Sequence, residues 1–115
     1  MATLVEGNHV GEFLLSEGEG SISREQFVFD AAAPAMVSGT LVGKITASGK
    51  YTKYDNAAAD GTQTCVGILY SQLDNLAVAQ NGAVIVRSAE VAAARLTGSD
   101  AAGVADLLAL GIIVR

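Results

Sequence analysis

Thr40-Leu41-Val42-Gly43-Lys44-Ile45-Thr46-Ala47-Ser48-Gly49-Lys50-Tyr51-Thr52-Lys53-Tyr54 is the stretch on which the reading of this chain turns. Leu41, Gly43 and Ile45 alternate with Val42, Lys44 and Thr46, the period of two that puts successive side chains on opposite faces of a strand. Residues 47–50 reverse the chain, and Gly49 tolerates the positive φ that a tight hairpin demands. Residues 51–54 run back. The stretch reads as a β-hairpin.

Working outward, the same kind of short strand recurs. Residues 21–29 form a plausible strand with Phe27 and Phe29 on one face, followed by a crossing loop at residues 30–39 that holds the only proline, Pro34. Downstream, residues 56–63 are a polar loop ending in an Asp60-Gly61 turn. Residues 64–70 are almost continuously apolar, as in a strand covered on both faces. Residues 71–80 suit a helical turn and a loop equally well. Asn81-Gly82 reads as another turn, opening a buried run at residues 83–86 that continues to Val91.

One helix stands out. Ser99 is a competent N-cap and Asp100 in the first turn favours the positive end of the helix dipole. Ala101, Val104, Leu107, Leu108 and Gly111 then fall at helical spacing on one face, and Gly111 closes the helix. Residues 112–114 leave as a last strand. The expected fold is mainly β with one short C-terminal helix, spanning residues 21–115.

Residues 1–20 differ. Glycines at 7, 11, 18 and 20 and acids at 6, 12, 17 and 19 surround one apolar cluster, Phe13-Leu14-Leu15, with no helical period. This reads as an extended arm with one adhesive patch. A frayed terminus without a role is the alternative.

Composition narrows the function. At 115 residues the chain is one domain, half apolar but dominated by Ala and Val, with no Trp and only three Phe and three Tyr. Small side chains remove little area from water each, at about 25 cal/mol per Å², which favours further burial between subunits. The net charge of −5 and seven scattered Lys and Arg argue against nucleic acid. No apolar run approaches the roughly 18 residues of a membrane span, and the N-terminus lacks the basic start of a signal peptide. A lone Cys65 precludes an internal disulfide and fits synthesis in a reducing host cytoplasm.

Catalytic chemistry finds little footing. His9, the only histidine, lies in the Gly-rich arm, where nothing holds a general base rigid. One His and one Cys do not make a zinc site of the usual kind. Cys65 sits in an apolar strand with no basic residue within ten positions, so it reads as a small buried filler. Glu17-Gly18-Glu19-Gly20 carries acids that repel phosphate and follows no strand, so it is not a phosphate loop. Asp55, Asp60 and Asp74 are scattered among turns. The sequence calls for no enzyme activity, no cofactor and no metal.

The ordered segments do resemble a known family. Ser23-Arg24-Glu25, residues 39–44, residues 47–51, Asp60-Gly61-Thr62-Gln63, Gly67-Ile68-Leu69-Tyr70, residues 86–91 and residues 110–115 are similar, in order and spacing, to the lambda-type tailed-phage head decoration proteins. The resemblance implies a β-clip-like fold, a bent two-stranded ribbon whose ends form an incomplete barrel. It implies a homotrimer at the three-fold and quasi-three-fold positions of an expanded head, on the outer capsid surface of the virion, stabilising the shell against packaged DNA. It also implies that the arm pairs with the major capsid protein, which makes Val10, Glu12, Phe13, Leu14 and Leu15 the expected capsid contacts. On this reading Phe13→Ala with Leu14→Ala leaves the domain folded and weakens attachment. The arm departs from the lambda representative in being short and acidic. A tail or fibre-attachment module is the other structural role open to a small β-rich trimer.

Overall fold

A computed structural model describes residues 13–17, 23–31, 35–73 and 79–115. The chain runs β1 (Leu14–Glu17), β2 (Arg24–Phe29), β3 (Leu41–Lys44), β4 (Tyr51–Lys53), β5 (Cys65–Leu69), β6 (Gln80–Ile85), β7 (Ala89–Val91), a 3-10 turn (Ala93–Arg95), α1 (Ala101–Ala109) and β8 (Ile112–Val114). It is mainly β with one short C-terminal helix. Five strands close a barrel in the order β2-β4-β3-β5-β6, and β1-β7-β8 make a second, three-stranded sheet.

The hairpin at residues 41–54 forms as its pattern requires. Lys44 pairs with Tyr51 and Val42 with Lys53, and Gly49 takes φ 73° in the turn. The N–H of Ile45 donates to the carbonyl of Lys50 at 2.8 Å. Leu41 and Val42 are nevertheless both fully buried, because the barrel wall separates two cores. Val42 points inward with Phe29, Leu69, Val84 and Val86. Leu41 points outward, with Ile68 and Ile85, into a second core roofed by Leu107 of α1 and by Val91 and Ile112 of the small sheet. The near-continuous apolar run of β5 has the same cause: Ile68 serves one core and Leu69 the other.

The barrel closes through a single parallel pair, Phe29 with Tyr51. Aromatic packing seals that seam: the Phe27 and Tyr51 rings stack at 3.9 Å, and the N–H of Asp30 donates to the Tyr51 carbonyl at 2.9 Å. Pro34 and Asp74 lie outside the described residues. Met36 and Leu73, on either side of them, exchange two backbone hydrogen bonds of 2.9 Å.

Three sequence expectations change. Asn81-Gly82 is not a turn but lies within β6, where Phe27 pairs with Gly82 and Val28 with Asn81. The glycine is needed for space, since a Cβ there would sit 2.8 Å from Cε1 of Phe29. The run from residue 83 to Val91 is broken at Ser88, whose φ of 51° turns the chain out of the barrel and into β7; Oγ of Ser23 donates to the Ser88 carbonyl at 2.9 Å. The N-cap is Asp100 rather than Ser99: its Oδ1 accepts from the N–H of Gly103 at 2.7 Å. Helix period was legible but its phase was not. Gly103 and Leu107 face the core, whereas Val104 and Leu108 are exposed.

Candidate functional site

The expected arm divides where the chain meets the small sheet. Val10 and Glu12, like His9, lie outside the described residues, as do residues 18–20. Phe13 is only 1% exposed and sits in the core roofed by α1. Its carbonyl accepts from the N–H of Ala92 at 2.7 Å. Leu14 to Glu17 follow as β1, antiparallel to β7. So residues 13–17 belong to the folded domain, and Phe13 is a root rather than a free contact. The physical reason is plain: a Phe ring finds more apolar area in a core of Leu41, Ile68 and Leu107 than an extended arm in water allows.

What the domain presents outward is a strand edge. β1 borders β7 on one side only, and a bulge between Leu14 and Ser16 breaks its register. Bulges re-aim side chains at sheet edges, and here the extra residue, Leu15, is 53% exposed while Leu14 is half-buried. On the outward face of the same sheet Ser16 pairs with Glu90 and Glu90 with Ile113. A shallow concavity of about 310 Å³ runs past Ser16, Glu17, Ser88, Glu90 and Ile113. Glu90 is held by Arg115 at 3.3 Å.

A clasp fixes the far end of β1 to the barrel. Arg24 donates through Nε and Nη2 to the two carboxylate oxygens of Glu17 at 2.9 and 2.5 Å. Its guanidinium lies 3.9 Å above the Tyr70 ring. These hydrogen bonds from Arg24 hold the Glu17 carboxyl below its ordinary value of 4.5, outweighing the opposing effect of burial. A depressed carboxyl stabilises the fold above its unfolded-state value and loses that contribution as pH falls through the folded value. Glu17→Gln is therefore expected to flatten the loss of stability below pH 4.5, seen by urea melts across acid pH. An unchanged acid limb would mean the clasp carries no stability. Sequence reading missed this clasp, because Ser23-Arg24-Glu25 offered no partner for Arg24 within reach along the chain.

The other polar groups are spent on structure. Burial pushes the Cys65 thiol up to about 11, which leaves no thiolate near neutral pH. Its N–H donates to Oδ2 of Asp106 at 2.9 Å. The largest concavity, about 480 Å³, is lined by Lys53, Tyr54, Asp55, Asn56, Gly98 and Asp100. Within it Tyr54 Oη already donates to Asp100 at 2.8 Å, and Asp55 accepts from the N–H of Ala57. Among the described residues no group of three His, Cys, Asp or Glu is placed to hold a metal. No described helix is long and apolar enough to cross a membrane.

A small closed barrel carrying a short sheet with an open edge, its buried polar groups engaged with one another, defines a structural module built for assembly. A model of the bacteriophage lambda head decoration protein D family matches residues 3–112, nearly the whole chain, and the protein belongs to that family. No curated protein matches the chain. The family is one of structural capsid proteins rather than enzymes, and its role, capsid decoration, places the chain on the phage head.

Proposed function

We propose that this protein binds the outer surface of the expanded head as a homotrimer, at three-fold and quasi-three-fold positions, and stabilises the shell against the pressure of packaged DNA. The N-terminal segment and the β1 edge pair with backbone of the major capsid protein. The observation that carries this reading is the open edge of β1, with Leu15 turned outward at the bulge, directly after the segment that precedes Phe13.

The energetics favour an edge that is already built. A net backbone hydrogen bond contributes about 0.5–1.5 kcal/mol, while ordering a residue costs about 1–2 kcal/mol. Two mobile chains pairing would roughly break even. With β1 already held by β7, Phe13 and the Glu17–Arg24 clasp, only the capsid chain has to be ordered. The twelve residues before Phe13 have a contour reach of about 40 Å, sufficient to leave one subunit and touch a neighbour. Each contact is weak alone. Three on one trimer act at high effective concentration, and avidity gains of about 10²–10⁴ follow.

Purified protein mixed with expanded and unexpanded heads tests this: it is expected to pellet with expanded heads. A tail or fibre module would bind neither, and that result would overturn the decoration mechanism proposed here. Leu15 supplies the residue test. Leu15→Asp leaves the fold intact because the side chain is exposed, and it is expected to weaken co-sedimentation with expanded heads at least tenfold, roughly 1.4 kcal/mol. Unchanged attachment would remove β1 from the interface.

A further inference from the structure

Helix α1 is apolar on the side that should meet water. Its inward seam is Gly103 and Leu107, continued by Leu110 against the core. Its one charged residue, Asp106, is turned in to the N–H of Cys65 at 2.9 Å. That leaves Ala101, Val104, Ala105 and Leu108 on the outside, with Leu108 65% exposed. These four fall at i, i+3, i+4 and i+7, the spacing of a second helix-packing seam. A helix that is apolar all round belongs in an interior. The sequence pattern 101-104-108 was therefore a real stripe, but not the one that faces the domain's own core.

The occupant follows from charge. Each chain carries a net −5, so identical copies repel, and they approach at least cost where neither presents a charged side chain. The outer face of α1 is such a surface. Ala101 and Ala105 allow close approach of backbones, while Val104 and Leu108 supply the area to bury. We infer that three copies of α1 face one another around the trimer axis, with Leu108 of each subunit packed against its symmetry mates. This deepens the homotrimer reading above and rests on it.

Sedimentation of the free protein and of Leu108→Glu, with circular dichroism as the check on folding, tests the inference. The parent chain is expected to sediment as a trimer, and the variant to be folded with a dissociation constant raised at least tenfold. Leu108→Cys, which keeps the seam apolar, is expected to cross-link pairs of subunits with a short bis-maleimide, Cys65 being buried and unreactive. A Leu108→Glu protein that stays trimeric, together with no cross-linking of Leu108→Cys, overturns the inference. If that trimeric variant also loses attachment to expanded heads, α1 meets the shell instead, and the decoration mechanism survives while this inference does not. A parent chain that sediments as a monomer overturns the homotrimer, and this inference with it, whatever the head-binding assay shows.

Discussion

Phe13→Ala is expected to destabilise the domain by about 3–5 kcal/mol, the usual cost of emptying a Phe site in a packed core. Phe13 is 1% exposed and shares its core with Leu41, Ile68, Ile85, Val91, Leu107 and Ile112, so barrel wall, helix and small sheet all lose contacts at once. The lining cannot collapse easily, because β1 is tethered on both sides of the ring, by the Ala92 to Phe13 hydrogen bond and by the Glu17–Arg24 clasp. Against a total stability of about 5–15 kcal/mol for a small domain, that is a third or more of the whole. Urea unfolding reads it directly, and a loss below about 1 kcal/mol would show that the ring leaves the core without consequence. The result also separates two roles that the sequence runs together. Phe13→Ala lowers the melting transition, whereas Leu15→Asp leaves it in place and acts on head attachment.

Much of the fold was legible because local chemistry and tertiary demand agree. The hairpin at residues 41–54 carries its own turn residue, and β5 announces burial on both faces by having no polar side of its own. Where they diverge, the sequence misleads. Phe13-Leu14-Leu15 in a Gly-rich stretch looks the same whether its partner is another protein or a core formed by residues 41–112, since only long-range packing distinguishes them. Asn81-Gly82 has turn chemistry, yet Gly82 is required by the Phe29 ring that faces it across the barrel. The phase of α1 was hidden because Ala, Val and Leu occupy both of its faces. The candidate edge was half legible: an adhesive residue near position 15 was expected, but the bulge that exposes Leu15, and the clasp that steadies its strand, depend on partners at positions 24, 70 and 91.

Asp100→Ala should be the next most damaging change, since one carboxylate performs two tasks. Its Oδ1 caps α1 at the N–H of Gly103, at 2.7 Å, and accepts from Tyr54 Oη at 2.8 Å. Losing the cap costs about 0.5–2 kcal/mol. The Tyr54 hydroxyl, on a residue only 3% exposed, then lacks its acceptor, which costs a further 1–3 kcal/mol or so. The sum is about 2–4 kcal/mol by urea unfolding. Adding Tyr54→Phe to Asp100→Ala removes the orphaned hydroxyl and is expected to recover part of that loss, whereas Tyr54→Phe alone destabilises; strictly additive effects would deny the coupling. Alkali provides an independent reading. Burial first, and the Asp100 carboxylate second, push the Tyr54 phenol from 10.0 up to about 12. A raised folded-state value contributes stability that is complete below the unfolded-state value and is lost as pH climbs through the folded one. The window is therefore pH 10 to about 12, and Tyr54→Phe is expected to flatten the stability curve there. A curve that falls equally in both proteins would show that the Tyr54–Asp100 bond does not govern the alkaline limb.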